Sequence, residues 1–182
     1  MGNGISRAQN VRELVIVALL LAVGAVMRIA SPSIGHITPN WMIALYCLAI
    51  ILIRPTIGKA FAIGLVAGAL CVVTSKSAFP YANLISEPLG AIVCAFLVNR
   101  TGEMSIGKFA LKPFVAAALS TFVSGTAFII VTKLVLNVPN EVFFYAMFLG
   151  VVVPVTISNG VFTQILALPA SRFAVNRPAI EE

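Results

Sequence analysis

The chain has 182 residues, of which 60% are hydrophobic and 10% are charged, and its mean hydropathy is +1.05. A soluble domain is nearer half apolar and a quarter charged, so this composition excludes one. We predict an all-α, polytopic protein of the lipid bilayer, folded as a single membrane domain that fills the chain. The net charge of +6 does not indicate a nucleic-acid partner, because the basic residues serve as orientation signals.

Six apolar segments follow a polar leader of ten residues. About 20 helical residues, at about 1.5 Å each, cross a hydrocarbon core about 30 Å thick. The second segment is short, and its start is expected in the loop before it. The sixth exceeds the core thickness, which predicts a tilt or a kink. The predicted spans are residues 11–30, 41–53, 60–74, 82–99, 114–136 and 142–168.

The basic residues predict the orientation of a six-helix bundle. Six spans place both termini on one side of the membrane. If that side is cytoplasmic, nine of the twelve Lys and Arg residues lie inside, and Arg28, Lys76 and Lys133 lie outside. This asymmetry follows the positive-inside rule. We therefore predict a multi-pass protein of the cell membrane with both termini in the cytoplasm.

A polar stretch, residues 75–90, interrupts the apolar sequence and carries Lys76 and Glu87. Glu87 is predicted to be the only acid within an apolar run. A charge inside a membrane costs about 2.5 kcal/mol or more, so it usually faces a cavity or a partner. Pro88 follows it, and a proline inside a helix usually causes a kink. We therefore predict a short, broken fourth helix with an acid near the break.

The residues around Glu87 predict a pocket for a small ligand. Asn83 lies one helical turn before Glu87 and shares its face. A carboxylate suits a ligand cation, basic groups suit a ligand carboxylate, amides give hydrogen bonds, and aromatic rings stack on a planar ligand. Ser, Thr, Asn and Gln can instead act as polar links between helices, Trp41 can serve as an interfacial anchor, and Lys76 can be a solvated loop charge. The candidate binding residues are Arg28, Asn40, Trp41, Lys76, Phe79, Tyr81, Asn83, Glu87, Asn159 and Gln164.

Catalysis and metal binding find no support in the sequence. It contains no Asp, one histidine (His36), and three cysteines without the paired spacing of a metal site. It lacks the glycine-rich loop that binds nucleotide phosphates. We predict neither an enzyme nor a bound cofactor, and ATP-driven transport would require an ATPase on another chain.

Several motifs resemble known transporters. Six short spans and the pair Ala18 and Ala22 resemble the substrate-binding S components of energy-coupling factor (ECF) vitamin importers. Three runs are similar to the bacterial tryptophan transporter family: Ile-Thr-Pro-Asn-Trp-Met (37–42), Ile-Gly-Leu-Val-Ala-Gly-Ala (63–69) and Phe-Pro-Tyr-Ala-Asn-Leu-Ile-Ser-Glu-Pro (79–88). The chain differs from that family's pattern at Asn40, where the family tends to have an acid, and at Ser86 and Glu87, where it has Asp-Lys.

The resemblance implies one small amphipathic ligand, tryptophan or a heterocyclic vitamin, held near the outer face by spans four to six. The loop of residues 31–40 would cap it. A face carrying Ala18, Ala22 and Ala25 would dock on a membrane T component, and two cytoplasmic ATPases would drive reorientation. Two other classes remain open on the residues alone: a membrane scaffold protein whose polar residues only link helices, and a stand-alone transporter with Glu87 as a proton site.

Overall fold

The computed structural model describes residues 2–31, 40–102, 104–106 and 109–171. The all-α class is confirmed, because helix dominates the described residues. His36, Lys108, Arg172, Arg177 and most of the loop predicted to cap the ligand lie outside them. The main helices are α1 (Gly2–Ala30), α2 (Trp41–Ile53), α3 (Ile57–Thr74), α4 (Asn83–Arg100), α5 (Lys112–Leu136) and α6 (Val153–Ala170).

Three smaller elements complete the architecture. Pro80–Ala82 forms a 3₁₀ turn before α4, and Val142–Val152 forms a π-helix that continues directly into α6. Between α4 and α5, strands β1 (Ser105–Ile106) and β2 (Phe109–Ala110) pair antiparallel. The hydropathy pattern predicted only a polar linker there, because strands of two residues are too short to produce a periodic signal.

Five helical stretches in the described part of the chain are long and apolar enough to cross a membrane: 7–30, 57–74, 80–100, 112–136 and 142–170. The helix α2 has only 13 residues, or about 20 Å at about 1.5 Å per residue. It is therefore shorter than a bilayer core. Every predicted span overlaps one of these helices.

The helix starts and the fourth helix differ from the prediction. The leader is helical from Gly2, and α3 begins earlier than predicted because the Thr56 side chain accepts a hydrogen bond from Lys59 N at 3.5 Å. The expected break at Pro88 is absent, since α4 is one continuous helix of 18 residues. The sixth predicted span, for which we expect a tilt or a kink, begins with the π-helix.

The helix α2 occupies the centre of the bundle. Eleven of its 13 residues are buried, and it packs against α1, α3, α4, α5 and α6. Its sequence is apolar on every side, as expected of a helix surrounded by other helices. At its C-terminal end, Arg54 adopts a left-handed conformation with φ 44°, and Pro55 follows, so the chain turns away. The N-terminus of α2 lies within the bundle, because Asn40 is hydrogen-bonded to Glu87 and Asn159.

Two glycines let α3 lie directly against the start of α4. A methyl group added at Gly64 would lie 2.5 Å from Pro88 Cα and 2.8 Å from Glu87 O. One added at Gly68 would lie 2.6 Å from Asn83 O. These are backbone atoms, so the clash could be relieved only by moving the helix. The glycine pair therefore sets the position of the part of α4 that carries Asn83 and Glu87.

We expect Gly68→Ala to destabilise the protein by about 1–3 kcal/mol, because overpacking forces a backbone shift. The matched control is Gly58→Ala on the same helix, since nothing lies within 4 Å of a methyl group there. Thermal unfolding of the detergent-purified variants measures both. Equal melting temperatures for the two variants would show that the close contact of α3 and α4 does not depend on Gly68.

Candidate functional site

A cavity of about 690 Å³ lies at the end of the bundle where α1, α3 and α5 finish and where α2, α4 and the π-helix begin. One wall is polar and comes from α1, the segment after α3, and the start of α4. The opposite wall is largely apolar and comes from α5 and the π-helix. A mainly apolar pocket with a few placed polar groups is the usual form of a small-molecule site.

Glu87 lies at the base of the polar wall and is completely buried. Its Oε1 accepts a hydrogen bond from Asn40 Nδ2 at 2.6 Å, and its Oε2 accepts one from Ser124 Oγ at 3.4 Å. Among the described residues, no Lys or Arg nitrogen lies within 4.0 Å of this carboxylate. Neutral donors therefore hold the carboxylate in place and leave its charge without an ion-pair partner.

Arg28 brings the opposite charge to the same cavity from the last turn of α1. Its side chain is only 5% exposed, and Nη2 donates to Ser75 Oγ at 3.3 Å. Within the described ranges, Nε and Nη1 have no hydrogen-bond partner. A guanidinium presents its donors in a planar fork that matches a carboxylate, so these two nitrogens form a site for an anionic group.

Asn40 links the carboxylate to the rest of the bundle. Its carbonyl oxygen accepts a hydrogen bond from Asn159 Nδ2 at 3.1 Å, and the same nitrogen donates to Thr121 Oγ1 at 3.2 Å. Asn159 is fully buried but does not line the cavity. It supports the N-terminus of α2, which in turn presents the Asn40 amide to Glu87.

Five predicted binding residues line the cavity: Arg28, Asn40, Lys76, Asn83 and Glu87. Lys76 is exposed at the cavity rim, where Nζ donates to Ser31 O at 3.2 Å. Asn83 is 1% exposed, and its Nδ2 donates to Pro80 O at 2.6 Å. That bond closes the turn before α4, so the Asn83 side chain holds local structure as well as lining the site.

The predicted aromatic residues do not line the cavity. Trp41 donates from Nε1 to Ser31 Oγ at 2.9 Å and packs edge-on against Phe162. Phe79 and Tyr81 pack edge-to-face with ring centroids 5.9 Å apart, and Tyr81 is 60% exposed. An aromatic residue beside an apolar segment can lie at the membrane interface or stack on a ligand. The sequence position of such a residue does not distinguish these two roles.

Gln164 also lies away from the cavity. Its Nε2 donates to Ala110 O at 2.7 Å, and its Oε1 accepts from Phe114 N at 3.0 Å. These bonds tie α6 to β2 and to the start of α5, at the opposite end of α5 from the cavity. This is the linking role that polar residues commonly have between membrane helices.

Sequence reasoning missed one face of α5. Thr121, Ser124, Phe128 and Thr132 all line the cavity. Their spacing of three or four residues is the signal that they share one helical face. The apolar wall also includes Met147 from the π-helix.

The prediction that Glu87 is the only acid in an apolar run is wrong. Glu13 lies within α1, is 6% exposed, and forms an ion pair with Lys59 at 3.1 Å. This pair belongs to the other end of the bundle, near the N-termini of α1 and α3. The sequence did contain a signal for this, because Glu13 lies inside the predicted first span, residues 11–30.

Comparison with known proteins assigns the chain to a family. The family model described as tryptophan transporter TrpP matches residues 10–172. The chain belongs to the tryptophan transporter family. The family is one of membrane transporters, which confirms the predicted resemblance, the membrane class and the absence of enzymatic function.

Two curated relatives extend over nearly the whole chain. A probable tryptophan transport protein of Bacillus subtilis (strain 168) is 29% identical over 177 residues, which cover 94% of this chain and 96% of the relative. A probable tryptophan transport protein of Clostridium acetobutylicum is 27% identical over 169 residues, covering 86% and 90%. No solved structure matches the chain.

We expect Asn40→Ala to lower the free energy of unfolding by about 1–3 kcal/mol even without ligand, because it removes the closest hydrogen-bond donor to a buried carboxylate. The control is Asn99→Ala, which removes an Asn donor to Pro55 O (2.8 Å) at the other end of the bundle. Thermal unfolding in detergent gives both values. A smaller loss for Asn40→Ala than for Asn99→Ala would contradict the role of this bond.

Proposed function

We propose that this tryptophan transporter family member is the substrate-binding S component of an ECF-type importer, which captures tryptophan outside the cell. A T component and two cytoplasmic ATPases would drive its delivery inward. The observation that carries the proposal is the pair Arg28 and Glu87. They are two buried, oppositely charged side chains that line one cavity and do not pair with each other.

A free α-amino acid carries one positive and one negative group on the same carbon atom. Glu87 offers a carboxylate to the ammonium, and the unpaired Nε and Nη1 of Arg28 offer donors to the carboxylate. A zwitterion therefore supplies the counter-charge that each side chain lacks. Burial of a charge without a partner is unfavourable, so ligand binding relieves a cost that the empty site carries.

The apolar wall suits a large planar side chain. Phe128, Met147 and Val152 line it together with other aliphatic residues of α5 and the π-helix. The cavity volume of about 690 Å³ lies within the usual range for small-ligand pockets, about 300–1,000 Å³. Aromatic and sulfur-containing side chains pack favourably on aromatic rings. An indole group placed here would lie away from both charges.

The direction of capture rests on the predicted orientation. The cavity lies at the end of the bundle opposite the N-terminus of α1. With the termini in the cytoplasm, as the distribution of basic residues favours, the cavity faces outward. Lys76 at its rim then supplies positive charge near the entrance.

We expect Glu87→Gln and Arg28→Gln each to weaken tryptophan binding by about 30-fold or more, since each removes one of the two buried charges that would meet the zwitterion. Calorimetry on the purified protein measures the affinity. Two analogues separate the roles: tryptamine lacks the carboxylate, and indole-3-propionate lacks the ammonium. Glu87→Gln should leave indole-3-propionate binding unchanged or stronger, and Arg28→Gln should do the same for tryptamine.

The matched controls are Glu141→Gln and Arg100→Gln, which alter exposed residues outside the cavity. Both should bind tryptophan with wild-type affinity. Full affinity of the Glu87→Gln protein, or loss of both analogues in both variants, would refute the assigned charge pairing.

The proposed T-component surface lies on α1. Ala18 and Ala22 are exposed, and Ala25 is half-buried. They recur at intervals of three or four residues and so share a face of small side chains, on which a second helix can approach closely. Ala18 and Ala22 lie ten and six residues before the cavity residue Arg28, and Ala25 lies three residues before it.

We expect Ala18→Phe to abolish tryptophan uptake driven by the T component and ATPases in proteoliposomes while leaving calorimetric affinity unchanged. The control Val23→Phe enlarges another exposed residue of α1, about 140° around the helix at 100° per residue. It should retain uptake. Tryptophan uptake by the isolated chain without ATPases, abolished by a protonophore, would instead favour a stand-alone transporter.

A further inference from the structure

Among the described residues of the apolar wall, one buried hydroxyl group has no hydrogen-bond partner. Thr132 lies on α5, one helical turn beyond Phe128, and its side chain is 5% exposed. Its Oγ1 has no hydrogen-bond partner among the described residues, and it lines the cavity. A buried polar atom in this state requires an explanation, since nearly all such atoms are hydrogen-bonded.

A helical threonine normally has an easy way to satisfy its hydroxyl. Thr121 on the same helix donates to Ala117 O at 2.7 Å, and Thr74 donates to Leu70 O at 2.9 Å. Both use the carbonyl four residues earlier. Thr132 makes no such bond. Its hydroxyl is therefore available to a molecule in the cavity.

Two other hydroxyls in the described part of the cavity wall, those of Ser77 and Ser86, also lack partners. They belong to the polar wall: Ser86 precedes Glu87, and Ser77 follows Lys76. Thr132 is different, because its cavity-lining neighbours on α5 are Phe128, Ile129 and Leu136. Among the described residues, it is the hydroxyl without a partner that belongs to the apolar wall.

We propose that Thr132 Oγ1 accepts a hydrogen bond from the ring N–H of a bound indole and so determines specificity for tryptophan over aromatic amino acids that lack this donor. The assignment rests on the proposed function, since it requires an amino acid held by Arg28 and Glu87. An indole has one polar atom, a donor, and a threonine hydroxyl can accept. A site built to hydrogen-bond a ligand group discriminates strongly against analogues without it.

The test compares tryptophan with 3-benzothienylalanine, in which sulfur replaces the ring N–H. Calorimetry measures both affinities for the wild type and for Thr132→Val, Thr132→Ser and Thr126→Val. Thr126 is the matched control because its hydroxyl also lacks a partner, on the same helix, but does not line the cavity. Thr132→Val should weaken tryptophan binding about five- to tenfold and leave the benzothienyl analogue unchanged. Thr132→Ser and Thr126→Val should keep the wild-type preference for tryptophan.

Two results would overturn the assignment. One is an unchanged ratio of the two affinities in Thr132→Val, whether both stay at the wild-type level or both fall together. The other is a Thr126→Val variant that loses the preference as much as Thr132→Val does. Failure of the wild type to bind tryptophan at all overturns the proposed function, and the assignment with it, and is recognised before any variant is made.

Discussion

Among the described residues, neutral donors make the hydrogen bonds that hold the Glu87 carboxylate inside an apolar bundle. The Asn40 amide at 2.6 Å is the nearest of these donors, and it is in place because Asn159 binds the Asn40 carbonyl and the glycines of α3 let α4 come close. Arg28 is buried in the same cavity with two nitrogens unpaired. An ionised group in a membrane is retained where it has a function. The cavity, its charges and its apolar wall are arranged around that one buried anion.

The shortness of α2 explains how the Asn40 amide comes to lie inside the bundle. The 13 residues of α2 cannot span a bilayer, and they are enclosed by the other helices. The helix therefore starts below the end of the bundle, and its first flanking residue, Asn40, meets Glu87 one turn into α4. A backbone start at this depth is tolerated because it is buried in protein and lines a cavity. The same geometry leaves the space above α2 open between α1, α4, α5 and the π-helix.

The sequence was sufficient for the helices and for naming the charged residues that line the cavity. Long apolar runs predict membrane helices without knowledge of their neighbours, and Glu87 and Arg28 stand out as charges near apolar segments. The apolar wall of the cavity was not predictable in the same way. Phe128 and Thr132 lie in a span that is apolar almost throughout, and only the packing of α5 against α4 and the π-helix selects which face meets the cavity.

Aromatic rings can stack on a planar ligand, and for that reason we predicted Trp41, Phe79 and Tyr81 as binding residues. In the structure none of these three rings lines the cavity. The hydropathy pattern of the sixth span does not predict that its first part is a π-helix.

The most direct measurement is an experimental structure of the protein with bound tryptophan, determined by cryo-electron microscopy or crystallography. The account predicts one tryptophan in the cavity, its ammonium within hydrogen-bond distance of Glu87, its carboxylate on Arg28, and its ring against α5 and the π-helix. A tryptophan bound elsewhere in the chain, or a structure in which Arg28 and Glu87 pair directly and close the cavity, would contradict it.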